Sequence, residues 1–263
     1  MGRVDLVLGG GAVRGLAHLG LLKAFERHHI HIDSIAGTSM GGVIGGLYAA
    51  GVMPDELEQY IQRMPKYSMI DFGLGKRGLL GGDSIYAALG RLLNRNGTNA
   101  VRIEELPIRF KTVSVDLMEG RQIVFEEGDL LTALRATTAF PGIFSPLMHE
   151  GMMLVDGGVL NNLPVDILDG ESFVIAVDVT REHEKKPPRN LLEVVYRSYS
   201  LMTAERKHHT LQLADFVIRP DVGHITAFDF TKWKDCIDAG ESAAEGVMEE
   251  LKQRIALQNG SRA

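Results

Sequence analysis

Residues 35–46 read IAGTSMGGVIGG. A short apolar run, Ile35 and Ala36, passes into Gly37-Thr38-Ser39-Met40-Gly41 and then into small residues from Gly42 to Gly46. A serine held between glycines on a tight strand-to-helix turn presents its hydroxyl outward, because larger flanking residues would obstruct the strained turn. Glycine and serine also make ordinary turns, so the pentapeptide alone decides nothing. Its setting is more informative, since a strand before and a helix after are the repeating unit of an α/β sheet. The same stretch admits a rival reading. Ser34 to Pro54 carries no charge and has G-x-x-x-G spacing at Gly37/Gly41, Gly41/Gly45 and Gly42/Gly46, as a membrane helix can. It also holds six glycines, a Thr-Ser pair and few large apolar side chains, which makes poor lipid affinity. A helix packed closely on a sheet accounts for that composition.

Outward from this point, strand and helix signals alternate. Val4–Leu8 is an apolar run ending in Gly9-Gly10-Gly11, with a helical pattern from Leu16 to Arg27, and Ile32–Ala36 is the next strand. Asp55–Met64 and Ser84–Leu93 have amphipathic helical spacing. Phe110–Val115 and Gln122–Phe125 read as strands joined by a turn near Glu119-Gly120, and Met152–Val155 and Phe173–Val179 as further strands. Leu191–Leu213 is expected to be a long helix, Phe216–Ile218 a short strand and Lys234–Ile255 a closing helix. On Leu191–Leu213, the stripe Leu191, Leu192, Val195, Tyr199 and Met202 is expected to face the core. The polar Arg181–Asn190 segment, with Pro187-Pro188, reads as a surface loop, because the alternation continues beyond it. This pattern predicts an α/β fold, a mostly parallel central sheet covered by helices on both faces.

Bulk properties narrow the function classes. The chain has 263 residues, 45% hydrophobic and 24% charged, as one ordinary globular domain would. A net charge of -6 argues against a nucleic-acid binder. Cys236 is the single cysteine, which excludes an internal disulfide or a cysteine-built zinc site and fits a reducing, cytoplasmic setting.

Two further clusters sit where chemistry would need them. GGGAVRG at 9–15 follows a strand and opens a helix, where backbone N–H groups converge on negative charge. The dinucleotide pattern fails there, with Arg14 or Ala12 where glycine belongs, and no Gly-Lys-Ser/Thr makes a phosphate loop. Amides that stabilise the oxyanion of an attacked acyl group remain. A nucleophilic serine also needs a base. Asp156 ends the strand Met152–Val155 and precedes Gly157-Gly158, a tight turn at a strand's carboxyl end, where open α/β sheets place their sites. With nine histidines in the chain, residue type alone does not select it, and Ser39, Asp156 and His224 also fall in the chain order of a Ser-acid-His triad. Ser39 follows only two strands, which is early for that triad fold, and the glycine cluster lies on the first of them.

GGGAVRGLAHLGLLKAF, GTSMGG, RATTAFPGIFSP and VDGGVLNNLP, in this order, resemble the patatin-like phospholipase family, and DFVIRPDVGHI and the final helix extend the likeness over most of the chain. The resemblance implies a three-layer sandwich in one domain over 1–263, with core motifs in 4–170 and C-terminal strands and helices in 171–258. It implies a Ser–Asp dyad of Ser39 and Asp156, and an oxyanion hole at Gly10, Gly11, Ala12 and Arg14. Gly9, Gly15, Gly37, Gly41, Gly157 and Gly158 are its motif glycines. One departure stands out: Ala12 occupies a position where many members have glycine, and alanine accepts a positive φ poorly. The implied activity is hydrolysis of lipid carboxylic esters through an acyl-enzyme, with no cofactor and no metal, in a bacterial cytoplasmic protein. The implied partner is a lipid or acyl-ester substrate, with transient contact at a membrane surface compatible with it. Acyl transfer and acyl-lipid binding with little catalysis are the alternatives; the oligomeric state stays open. His28, His29 and His31 read as a solvated helix end rather than a metal site, and YSMIDFGLGKRGLLGG at 67–82 has the composition of a flap over an acyl-chain groove.

Overall fold

The structure, a computed structural model, describes residues 3–63, 83–93, 101–170, 172–180, 187, 188 and 190–261. Its strands are β1 (Val4–Leu8), β2 (Ser34–Gly37), β3 (Arg109–Asp116), β4 (Arg121–Phe125), β5 (Leu147–His149), β6 (Met152–Asp156), β7 (Phe173–Val177) and β8 (Phe216–Ile218). Its α-helices are α1 (Ala17–Arg27), α2 (Met40–Ala49), α3 (Pro54–Arg63), α4 (Asp83–Leu93), α5 (Leu130–Thr137), α6 (Leu191–Leu211) and α7 (Trp233–Ser261). The expected flap at 67–82 lies outside the described residues, as does most of the Arg181–Asn190 loop.

All eight strands join one sheet. β3, β2, β1, β7 and β8 run parallel in that order, β4 and β6 pair antiparallel with β3, and β5 pairs antiparallel with β6. VDLVL in β1 and FVIAV in β7 are buried at every position, the signature of central parallel strands covered on both faces. Alternate residues of β1 feed two cores. Leu6 and Leu8 pack in a large cluster with Leu21 and Phe25 of α1, Ile44 of α2 and Ile237 of α7. Val7 belongs to a smaller one with Leu163, Val165, Val174 and Leu211, the last at the end of α6. The expected three layers are present, with a thick helical layer on one face and a thin one on the other.

Close backbone approach explains the small residues of α2. A side chain on Gly41 would strike the Leu8 carbonyl, and one on Gly45 the Ile35 side chain. The uncharged 34–54 stretch is therefore β2 and a helix pressed onto the sheet, and no helix among the described residues is long and apolar enough to cross a membrane. Two elements carry no clear sequence signal. β5 is three residues on an edge, too short for alternation. α5 is one capped stretch, with Asp129 accepting from Thr132 N at 2.8 Å.

The α6 stripe departs from expectation. Leu191 is 78% and Met202 80% exposed, whereas the helix buries Thr203, Lys207, Thr210 and Leu211. Only its C-terminal part lies on the sheet side, where Lys207 Nζ meets Asp178 Oδ2 at 3.0 Å. Of the stripe, Tyr199 turns inward, packing edge-on against Phe140 with centroids 5.2 Å apart.

α1 and α7 cross at Gly20 and Gly240. A Cβ on Gly240 would overlap the Ala17 carbonyl, whereas one on Gly246, in the same helix, meets nothing within 4 Å. Helix propensity favours alanine at both by up to about 1 kcal/mol. Gly246→Ala is expected to stabilise by roughly that amount, and Gly240→Ala to destabilise by about 2 kcal/mol or more through overpacking. Urea unfolding of the two variants checks the opposite signs.

Candidate active site

β2 ends at Gly37 and α2 begins at Met40, so Thr38 and Ser39 make the whole turn. Ser39 has φ 54 and ψ -126, a sparsely populated region for a side-chain-bearing residue that costs on the order of 1–3 kcal/mol. Surrounding bonds hold it there. Ser39 N donates to Thr137 Oγ1 at 2.9 Å, Thr38 Oγ1 donates to Asn161 O at 2.9 Å, and Thr112 Oγ1 donates to Gly37 O at 2.8 Å. A side chain on Gly37 would meet the Gly41 carbonyl at 2.6 Å, so the elbow closes only on glycine.

Asp156 arrives from an unexpected direction. β6 is antiparallel to β3, so its carboxyl end points opposite to that of the parallel strands. The register explains how it still reaches Ser39. Ser114, Val115 and Asp116 pair with both β4 and β6, and Thr112 pairs with both β2 and β4. A strand has two edges, so β2 and β6 share the edge opposite β4. They meet head-on along it, Gly37 beside Thr112 and Asp156 beside Ser114. Two chain ends running toward each other deliver Ser39 and Asp156 to one place.

The Asp156 side chain is fully buried. Its Oδ1 accepts from Gly158 N at 2.8 Å, while Oδ2 has no partner that meets the limits of a formed hydrogen bond. Burial pushes its pKa up to about 7, and the neighbouring Ser39 side chain and the Gly158 amide act in the opposite sense. Ser39 is thus near enough to favour the carboxylate without closing a bond to Oδ2, a spacing common in ligand-free sites.

The glycine loop lies directly on Ser39: a Cβ on Gly10 would sit 3.2 Å from Ser39 Cβ. Gly10 N donates to Asn162 O at 3.0 Å, and Gly10 O accepts from Asn162 Nδ2 at 3.1 Å. Its amide is therefore engaged, and among the described residues the Gly11 and Ala12 amides donate to no protein group. Ala12 has φ 50, so the departure noted in the sequence is accommodated by a left-handed alanine. Arg14, 2% exposed, donates from Nε to Ile225 O at 2.6 Å, fastening the turn to the 222–227 segment. His18 Nε2 donates to Gly9 O at 2.7 Å, and burial lowers its pKa to about 4, so the ring is neutral.

The structure brings Ser39, Asp156 and the Gly9–Ala12 loop together and leaves His224 apart. The His224 side chain is 66% exposed and its acidic neighbour is Asp221 at 3.9 Å. No histidine among the described residues hydrogen-bonds to Ser39 or Asp156. Thr137, Asn161, Asn162 and His18 belong to the site without having been singled out, and Tyr199, expected only as a core-facing residue, joins them. The first four lie inside the quoted motifs, where two adjacent asparagines after Asp-Gly-Gly were a readable signal of polar bracing.

Residues 6–169 match the family described as Patatin-like phospholipase. The chain belongs to the patatin-like phospholipase family. An NTE family protein of Mycobacterium tuberculosis is 34% identical over 189 residues, covering 71% of this chain and 51% of that protein. Lysophospholipase NTE1 of Yarrowia lipolytica is 30% identical over 287 residues, covering 95% of this chain and 20% of that protein. The chain thus spans about half of the mycobacterial relative and a fifth of the yeast one. The fold is shared with VipD from Legionella pneumophila, at a TM-score of 0.55 and 13% identity, covering 95% of this chain and 67% of that one. It is shared also with ExoU of Pseudomonas aeruginosa, at a TM-score of 0.52 and 15% identity, covering 96% and 53%.

The buried carboxyl of this patatin-like site has a signature in stability. With its pKa raised from 3.8 to about 7, Asp156 contributes stability that is present below the unfolded value and lost as pH rises through the folded one. Asp156→Asn cannot ionise and escapes that loss. Its stability relative to wild type is expected to rise by a few kcal/mol between about pH 4 and about pH 8, read by denaturant titration at both ends.

Proposed function

We propose that this chain is a lipid ester hydrolase working through a Ser39–Asp156 dyad, as one catalytic domain over the described residues. The observation that carries the reading is the fully buried Asp156 carboxyl beside the Ser39 hydroxyl, with a pKa near the operating pH of a general base. Asp156 accepts the Ser39 proton as Oγ attacks the ester carbonyl. The carbonyl oxygen takes up negative charge, which the Gly11 and Ala12 amides and the amino end of α2 stabilise. Collapse expels the alcohol, which takes the proton back from Asp156, and leaves an acyl group on Ser39. Water, with Asp156 again as base, then releases the acid.

The narrowing to Gly11 and Ala12 follows from the engaged Gly10 amide. Arg14 is assigned to loop positioning, since its Nε holds the Ile225 carbonyl. Lipid acyl esters are the substrate class favoured by family membership and by the name of the yeast lysophospholipase relative. Acyl transfer differs only in which hydroxyl enters second.

Labelling with a fluorophosphonate, alongside hydrolysis of lysophospholipid and short-chain esters, tests this reading. Wild type is expected to label and turn over, and Ser39→Ala and Asp156→Asn each to lose at least about a thousandfold in kcat. Because the base must be ionised, kcat/KM is expected to rise with pH through about 7 and then level. His224→Ala should retain activity. Folded wild type that neither labels nor hydrolyses would favour acyl-lipid binding instead, and loss of activity in His224→Ala would restore the triad.

A further inference from the structure

α6 reaches the site through Tyr199. Tyr199 donates its hydroxyl hydrogen to Asn162 Oδ1 at 3.0 Å. Asn162 grips the Gly10 peptide from both sides, its carbonyl accepting from Gly10 N and its Nδ2 donating to Gly10 O. The Tyr199 hydroxyl also lies so close to Gly158 that no side chain fits there, and the Gly158 amide is the donor to Asp156 Oδ1. One phenol therefore braces the two loops that carry the base and the free amides.

The hydroxyl supplies more than packing. An asparagine amide can turn over, exchanging oxygen and nitrogen at little steric cost. Gly10 O can only accept, so the Asn162 nitrogen faces it, and the Tyr199 hydroxyl bonds the oxygen at the other end and holds the amide in that setting. Turned over, the amide would set Oδ1 against Gly10 O, two acceptors with no hydrogen between them, and the loop would lose its hold. Burial and the nearby Asp156 charge drive the Tyr199 pKa well up, so it stays a donor throughout the working pH range. Phe140 and Tyr196 fix the ring, with centroids 5.2 and 6.0 Å from it.

We propose that Tyr199 is a positioning residue of the reaction: its hydroxyl anchors the Asn162 side chain through Oδ1, and Asn162 holds Gly10 so that the Gly11 and Ala12 amides meet the oxyanion formed at Ser39. This rests on the hydrolase reading. It acts through Asn162 and makes no hydrogen bond of its own to Ser39 or Asp156 among the described residues.

Tyr199→Phe keeps the ring and removes the donor. Misaligned amides weaken transition-state binding while leaving ground-state binding alone. Steady-state hydrolysis of a soluble ester should therefore show kcat lowered about tenfold and KM within about twofold, with the thermal transition retained. Asn162→Ala should lose at least as much, and adding Tyr199→Phe to it should change kcat by less than about twofold, since the two act as one unit. Wild-type kcat in Tyr199→Phe, a loss confined to KM, or losses that multiply in the double variant would each overturn the proposal. Should Asn162→Ala not fold, the kcat-against-KM split in Tyr199→Phe decides alone. Wild type without Ser39-dependent hydrolysis would overturn the hydrolase reading and this proposal together, a result distinct from an active wild type indifferent to Tyr199→Phe.

Discussion

Everything at the site depends on one edge of β3 being shared by two strands that run toward each other. β2 occupies its first half in parallel and β6 its second half in antiparallel, pairing at Thr112 and Ser114 respectively. The chain leaving β2 must turn sharply before it meets the chain leaving β6, and the elbow at Ser39 and the turn at Asp156 are the two solutions. Each needs glycine at the point of closest approach. A side chain on Gly157 would overlap the Val113 carbonyl, just as one on Gly37 would press on Gly41. Gly37 and Gly157 are thus demanded by two strand ends meeting over one backbone.

That arrangement is held against its own energetics. Ser39 and Ala12 both have positive φ, and Asp156 is a carboxyl with no exposed surface. Strained torsions and a buried ionisable group each destabilise the fold. Polar bracing from distant parts of the chain offsets them: Thr137 from α5, Asn161 and Asn162 from the turn after β6, and His18 from α1. The large core beneath, from Leu6 and Leu8 through Phe25 to Ile237, supplies the stability that tolerates such a site. On the proposed dyad reading, function and fold pull in opposite directions at Asp156, so its amide variant is expected to be inactive while gaining stability relative to wild type as pH rises.

Much of this was legible in the sequence, for identifiable reasons. The continuous apolar runs of β1 and β7 and the glycine turns at strand ends are local signals, and they located the parallel sheet, the elbow and the glycine loop. Asp156 was also marked as a candidate, but by a rule for parallel strands that β6 does not obey. Its direction depends on pairing with β3 some forty positions earlier in the chain, which the four apolar residues Met152–Val155 cannot encode. The α6 stripe misled for a related reason: helical spacing marks a face, and whether another layer covers that face is decided by chain far away. Leu191 and Met202 accordingly stand exposed while Tyr199, a member of the same stripe, enters the site. The engaged Gly10 amide could not be read at all, since its partner Asn162 lies on a different loop and bonds through its backbone.

The central claim is that two strand ends on β3 bring a nucleophile, its base and two free amides onto one reacting carbon. The most direct measurement is a crystal structure of the protein after reaction with a fluorophosphonate, whose tetrahedral phosphorus mimics the attacked carbonyl. The account predicts phosphorus bonded to Ser39 Oγ, with one phosphonyl oxygen about 3 Å from the Gly11 and Ala12 nitrogens and Asp156 alongside. A phosphonyl oxygen directed to solvent, or phosphorus on any residue other than Ser39, would contradict it.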